Sequence, residues 1–478
     1  MLVSLVAGCA GALIVAPKAA GWFIGAVLAI LFAALLLVRL IAIRSVIETW
    51  RPSGAAQLVG RDDFPARSFA GALEAAEDEG LPIYSVLVTL YREADVVPAL
   101  VEALRALDYP VDRLDILFIL EADDPQTFRA LASLDLPPHM KLVVVPDGQP
   151  RTKPRALCHG LALATGDFVV VFDAEDRPEP DQLRLALDAF HRGGPRLGCV
   201  QARLNVYNPR DGIVAAQFAV EYTALFDGTM PALAKAGAPL PLGGTSNHFP
   251  RRVLDEAGGW DPWNVTEDAD LGFRLARRGW SVGVIPSTTW EEAPRDAATW
   301  LNQRTRWQKG WMQTYLVHMR DPAQLWVDLG PGRFWWFQLI LGGGLLAALA
   351  HPWFAGLVVA QVLWGGLAAP QWPPADLTGW VALLALVNFA ATVSATVVLS
   401  FVTLRARGFK GLWIAALLSP LMWLGVSLAA YRAIFELHRR PFHWAKTPHG
   451  LSGSSRTADS SRARMDFSQR IDGRSASQ

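Results

Sequence analysis

Cysteine is almost missing from this chain: Cys9, Cys158 and Cys199 are all there is in 478 residues. Their odd number and wide spacing exclude a disulfide framework, and no pair has the spacing of zinc ligands. Net charge is missing too. Lys+Arg and Asp+Glu number 44 each, so no positive surplus exists to hold a nucleic acid, and none is expected as a partner. Charged residues are only 18% of the chain against 52% hydrophobic, and their scarcity is local. Residues 1–43 carry only Lys18 and Arg39, and 19–38 carry no charge at all. From 334 to 404 the single Asp, Glu, Lys or Arg is Asp376. Some twenty consecutive apolar residues cross the hydrocarbon core of a bilayer. A wholly soluble protein is excluded.

Residues 1–50 therefore read as an N-terminal membrane segment: one span over 19–38, and a shorter one at 2–16 turning at Pro17-Lys18. Cys9 follows "LVAG", but no basic residue precedes it, and the apolar stretch is too long for a cleaved signal peptide. Arg39, Arg44 and Arg51 place the next segment in the cytoplasm. A linker (51–80), a soluble domain (81–320) and an interfacial connection (321–333) lead to C-terminal helices over 334–432, with spans near 335–350, 353–369, 379–402 and 411–431. Two basic clusters, "LRARGFK" (404–410) and "HRRPFHWAKTPHG" (438–450), compete for the cytoplasmic side. One ordinary span between them cannot leave both inside. Four spans with a cytoplasmic tail at 433–450 are expected; an interfacial 335–350, or a re-entrant 411–431 broken at Ser419-Pro420, is the alternative. Residues 451–478, with eight serines and five arginines, read as a disordered tail.

The soluble segment alternates. Strands are expected at 83–90, 114–120, 141–145 and 167–173, with helices at 95–107, 124–134, 153–164 and 179–190. That pattern predicts a parallel sheet covered on both faces, binding its ligand at the carboxyl ends of the strands. Three strands end in polar groups: Tyr91-Arg92-Glu93, Glu121-Ala122-Asp123-Asp124 and Asp173-Ala174-Glu175-Asp176. Asp173 and Glu175, two apart after a strand, can ligate a hard divalent cation, although a solvated loop with N-cap acids is the plainer reading of "FDAED" alone. Asp123 or Asp124 can simply cap the next helix. "LGGTSNHF" (242–249) lets backbone approach a ligand closely, or is an ordinary tight loop. In "NVTEDADLGF" (264–273) Glu267 and Asp268 open a helix crowded by Trp260, Trp263 and Gly258-Gly259. Apolar surroundings would raise a carboxyl there toward the range of a general base; a plain helix cap is the alternative. "QRTRWQKGW" (303–311) interleaves cations and tryptophans, as a membrane-surface helix or a diphosphate site would.

In order, "YREADV", "EADD", "KPRAL", "FDAED", "GGTSN", "TED" and Gln303-x-x-Arg306-Trp307 make residues 80–320 resemble membrane-embedded family 2 glycosyltransferases, such as cellulose, chitin and hyaluronan synthases. The resemblance implies an α/β GT-A (Rossmann-like) catalytic domain inserted between transmembrane helices. It also implies Mg²⁺ or Mn²⁺ at Asp173 and Glu175, the latter standing where the family usually has Asp. Glu93 and Asp123 would border the nucleoside, Lys153 the phosphates, and Arg306 the leaving diphosphate. Asp268 would be the base. Gly244, Thr245, Glu267, Gln303 and Trp307 would line the acceptor, with Trp307 stacked under its sugar. The implied activity is an inverting, processive β-transfer from a UDP-sugar, UDP-glucose first, to a growing polysaccharide at the bacterial inner membrane. A single addition to a lipid acceptor is the alternative. A non-catalytic membrane partner or transporter with a degenerate transferase domain is a third.

Overall fold

The computed structural model describes residues 17–49, 80–365 and 377–442. The expected span at 2–16, the linker 51–79 and the tail from 443 lie outside the described residues. The chain enters through α1 (Pro17–Thr49), a 33-residue helix. The soluble domain then opens with β1 (Tyr84–Leu90), parallel to both β2 (Leu114–Glu121) and β4 (Phe168–Phe172), with β3 (Met140–Val145) outside β2. The period-two alternation of these apolar runs decides which way each side chain faces. Val86 and Val88 pack with Leu100 and Leu104 of α2 (Val97–Arg105) and Leu187 of α5 (Gln182–Arg192). Leu87 turns the other way, onto Leu157 and Leu161 of α4 (Lys153–Leu163). Asp124 caps α3 (Pro125–Ala132) through the Thr127 amide, and its other oxygen accepts the amide N–H of Arg92, held at φ 56°. The capping role in "EADD" thus falls to Asp124.

The expected parallel sheet is interrupted by two strands that run the other way, β5 (Arg177–Pro178) and β7 (Asn247–Pro250). The eight strands run β3-β2-β1-β4-β7-β6-β8-β5, with β7 antiparallel to both β4 and β6 (Leu197–Val206). The cause is where β7 starts. The Gly243–Ser246 turn sits at the edge where β4 ends, the Ser246 amide donating to Val171 O at 2.7 Å. A strand leaving that edge must run opposite to the strands arriving at it. Beyond it, β8 (Ser281–Glu291) pairs parallel with β6 and antiparallel with the two-residue β5 (Arg177–Pro178). Between β6 and β7 lie α6 (Ile213–Thr223), a π-helical turn over Ala224–Thr229 and α7 (Met230–Lys235). α8 (Arg251–Ala257), α9 (Glu267–Arg277) and the 22-residue α10 (Ala297–His318) complete the domain.

Three long elements come next. α11 (Pro322–Phe337) kinks at Gly330 (φ 69°) and continues through a π-helical turn into α12 (Gly344–Gly365), with Pro352 inside it. The expected spans at 335–350 and 353–369 are therefore joined in one helical run as far as residue 365, and 366–369 lie outside the described residues. In apolar surroundings an open backbone costs more than the one hydrogen bond a proline removes. α13 (Leu377–Arg407) and α14 (Trp413–Arg439) end the described chain. α14 does not break at Ser419-Pro420 either: Ser419 Oγ donates at 2.8 Å to Ala416 O, the carbonyl that Pro420 cannot serve. Among the described residues, four helical segments are long and apolar enough to cross a membrane: Gly25–Thr49, Pro322–Gly356, Leu386–Arg407 and Trp413–Arg439.

Candidate active site

The carboxyl ends of β1, β2 and β4 open into a cavity of about 270 Å³, closed by the Gly243-Gly244 turn, the start of α9 and one face of α10. The two glycines divide it. A Cβ on Gly244 would lie 3.3 Å from Asp268 Oδ2, 3.9 Å from Lys153 Nζ and 4.0 Å from Asp173 Oδ2. A Cβ on Gly243 would instead meet Leu204 Cδ1 at 3.1 Å and, at 3.3 Å each, Gln201 Oε1 and the Phe226 ring. One glycine faces charge and the other faces a wall that is mostly hydrocarbon, with one neutral amide.

At the charged end Lys153 donates to Asp173 and, at 2.6 Å, to Gly244 O. Burial opposes the Lys153 charge, but Asp173, with Glu267 and Asp268, more than offsets it and raises the pKa. The neighbouring carboxyls are pushed up. Burial raises Glu175 well above the usual range, helped by Asp173 and Glu93, and raises Asp176 and Glu291 in the same way. Burial and then Asp268 bring Glu267 up to about 7, while Asp268 is raised by burial against the pull of the Ala269 amide, Lys153 and Arg306. Anionic groups here outnumber cations, so a doubly charged cation would relieve the repulsion. Asp173 and Glu175 supply hard oxygen donors suited to it. No third His, Cys, Asp or Glu joins them as a preformed cage among the described residues, so ligand oxygens would have to complete the coordination.

Of the residues singled out from sequence, Glu93, Lys153, Asp173, Glu175, Gly244, Thr245, Glu267, Asp268, Gln303, Arg306 and Trp307 all line this cavity. Asp123 does not. Arg151 holds it at 2.5 Å, and Arg151 itself lines the cavity while also pairing with Asp147. The Thr245 hydroxyl, expected on the acceptor, is committed inward to Val171 O and Asp176. Trp260 and Trp263, expected to crowd the approach to Glu267, do not line the cavity: Trp260 packs on Phe249, and Trp263 is 48% exposed against Phe442. α10 closes over this site instead. It docks because Gly310 has no side chain, since a Cβ there would sit 2.3 Å from Thr266 Oγ1. Asn264 Nδ2 donates to Thr314 at 2.9 Å and the Val265 amide to Gln313 at 3.3 Å. Arg306 donates to Val265 O at 3.4 Å, and its Nε, like Gln303 Oε1, is buried with no protein partner among the described residues. Trp307 stacks on Tyr222 at 6.5 Å between centroids and lies 4.2 Å beneath the Arg304 guanidinium.

The membrane-surface reading of α10 also needs correction. Lys309 is 1% exposed and points at Glu436 of α14, so it meets no lipid headgroup. Arg151, Tyr222 and Glu291 line the cavity unannounced. Only Glu291 had a signal, as an acid ending a strand.

A mixed α/β sheet with its carboxylates gathered at the carboxyl edge, flanked by apolar helices, defines the GT-A class of transferase. The profile described as "Glycosyltransferase like family 2" matches residues 82–310, so that segment carries a family 2 glycosyltransferase domain. Over 297 residues it is 31% identical to a beta-monoglucosyldiacylglycerol synthase of Synechocystis sp., covering 59% of this chain and 58% of that one. Over 241 residues it is 25% identical to probable glucomannan 4-beta-mannosyltransferase 11 of Arabidopsis thaliana, covering 49% and 54%. The chain thus spans little more than half the length of these relatives. A mannosyltransferase from Pyrobaculum calidifontis, solved with GDP-Man and Mn²⁺, superposes with a TM-score of 0.45 at 22% identity, over 77% of this chain and 98% of that one.

Proposed function

We propose that this enzyme transfers one sugar, glucose first among the candidates, from a UDP-sugar to a hydroxyl group of a membrane lipid, with inversion at the anomeric carbon. The observation that carries this reading is the divided cavity. Its charged end suits a sugar diphosphate, and the end beyond Gly243 is walled by Leu204, Tyr222, Leu225, Phe226 and Met230. Leu225 and Phe226 belong to the π-helical turn that packs on the long apolar helices: a Cβ on its Gly228 would meet Leu399 at 3.0 Å and Val46 at 3.7 Å. An acceptor with a hydroxyl head and a hydrocarbon body matches both ends. The identity to a monoglucosyldiacylglycerol synthase supports the same choice.

In this mechanism Asp268 takes the proton of the acceptor hydroxyl as that oxygen attacks the anomeric carbon. Glu267 beside it holds the shared negative charge in check. Arg306 offers its unpaired Nε–H to the departing diphosphate, where a guanidinium forms charge-assisted hydrogen bonds. Lys153 is poised to exchange its contact with Asp173 for phosphate oxygens. A Mg²⁺ or Mn²⁺ ion held by Asp173 and Glu175 would neutralise diphosphate charge. Trp307, stacked on Tyr222, offers a flat wall to the acceptor. The domain would face the cytoplasm, where UDP-sugars are made.

The test is purified enzyme in nanodiscs with Mg²⁺ or Mn²⁺, diacylglycerol and a panel of radiolabelled UDP-sugars. The expected product is one organic-soluble glycolipid. A water-insoluble polymer that shortens with a β-glycosidase, formed without lipid acceptor, would overturn this reading in favour of polysaccharide synthesis.

A further inference from the structure

The last helix, α14, is as apolar and as long as a membrane span. At about 1.5 Å per residue its 27 residues measure some 40 Å, more than the roughly 30 Å hydrocarbon core. A helix that crossed would carry its far end away from the transferase domain. α14 does not. At its start, Ala415 O accepts from Gln217 Nε2 of α6 at 2.8 Å, and Leu412 and Ala416 are buried in the domain's core. In the middle, Gly425 lies against the Trp300 ring, and Ala430 and Ala433 pack on Met312. At its end, Lys309 reaches Glu436 and Arg440 O, both at 3.4 Å, and Gln313 donates to Pro441 O at 2.9 Å. The helix therefore runs beside α10 with both ends on the same domain.

Its outer face shows where this places it. Leu417, Leu421, Leu424, Leu428 and Phe435, spaced to fall on one side of a helix, are 46–62% exposed. Trp423 lies 5.5 Å under the Arg39 guanidinium and edge-on to His351 at 5.3 Å. Arg39 bounds the uncharged stretch of α1, so Trp423 sits at the level where that helix meets the headgroups. Cations flank α14 at both ends: Arg405 and Lys410 before it, Arg439 and Arg440 after it. Cations at both ends of an apolar helix suit one anionic surface and fit poorly on opposite sides of a membrane.

We infer that α14 does not cross the membrane but lies in the cytoplasmic leaflet, its outer face bedded in lipid and its inner face backing the active-site helix α10. Only α1, the α11–α12 run and α13 cross among the described residues. The two basic clusters at 404–410 and 438–450 are then both cytoplasmic. The leaflet seats, through α14, the helix that carries Gln303, Arg306 and Trp307.

The experiment is cysteine labelling in the full chain with Cys9, Cys158 and Cys199 replaced, UDP release confirming that each variant folds. Lys410→Cys and Arg440→Cys are expected to react with a membrane-impermeant maleimide only after permeabilisation, whereas Ala369→Cys reacts in intact cells. Labelling of Arg440→Cys in intact cells would overturn the inference. An independent arm places spin labels at Leu417, Leu421 and Leu428 in nanodiscs. Equal, shallow immersion depths are expected, and a depth gradient running through the bilayer centre would overturn it. Neither readout depends on which acceptor the enzyme uses.

Discussion

Two residues on facing elements divide the chemistry between them. Asp268 sits with its carboxyl beside the Gly244 turn, and Arg306 sits one wall away with an unserved N–H. Asp268→Asn is expected to cost about 10²–10⁴-fold in turnover, the usual contribution of a general base, while leaving UDP affinity near wild type. Arg306→Lys is expected to lose turnover and UDP affinity together, because a lysine cannot reproduce the guanidinium fork. Calorimetry with UDP and metal on both variants separates them; equal, wild-type affinity would remove Arg306 from the diphosphate. Protonation gives a second handle. A base must be deprotonated to accept a proton, and burial has lifted the Glu267–Asp268 pair until Glu267 stands at about 7. The rate should fall on the acid side as the raised Asp268 carboxyl takes up its proton, about tenfold per unit in kcat/KM. Glu267→Gln removes one of the two charges and should move this limb to lower pH. An unmoved limb would assign it elsewhere.

At the scale of elements, α10 is the part that must be seated correctly. Its contact with the "TED" loop exists because position 310 is glycine. Gly310→Ala drives a methyl into Thr266, whose β-branched side chain has little room to turn. Overpacking of this kind costs about 1–3 kcal/mol. The shift would also move Arg306 and Trp307, one turn away, relative to Asp268. The expected outcome is a lowered melting temperature with a larger loss in kcat than the stability change alone explains, and partial recovery in Gly310→Ala with Thr266→Ser. Thermal melts and steady-state rates on the two variants check it.

Across the whole molecule, one ion-pair cluster ties the long apolar helices to the cavity wall. Arg407, at the end of α13, donates to both oxygens of Asp227 at 2.7 Å and to Thr288 of β8 at 2.8 Å. Asp227 lies in the π-helical turn that carries Leu225 and Phe226. Arg407→Ala leaves Asp227 buried with only the Arg203 contact at 3.5 Å. Breaking a buried pair from one side costs on the order of 3 kcal/mol. Besides the loss of thermal stability, KM for the proposed lipid acceptor should rise while UDP affinity holds, because only the apolar wall loses its anchor. A KM unchanged in the destabilised variant would confine Arg407 to a structural role.

Much of the architecture was legible in the residues themselves. The uncharged stretch 19–38 marks a helix apolar enough to cross a membrane, and the alternating apolar runs of 84–172 demand a covered sheet; local periodicity and solvent transfer decide both. The acids ending β1, β2 and β4 marked the edge where the cavity lies. Other features depend on contacts between distant positions. No local pattern distinguishes Asp124, which caps α3, from Asp123, which Arg151 draws to the cavity rim, because their difference lies 28 residues away in Arg151. Lys309 has the composition of a headgroup contact, yet α14 buries it. Pro352 and Pro420 read as breaks but lie inside helices, Pro420 with its orphaned carbonyl served by Ser419 Oγ. The orientation of α14 comes from its contacts with α6 and α10, which hydropathy does not record. The sequence by itself determined which segments must leave water and which must pair as sheet, because those are properties of short windows. Only the tertiary structure decided which carboxylates share one field and which apolar helix lies flat, because burial and charge coupling arise between residues that the chain keeps far apart.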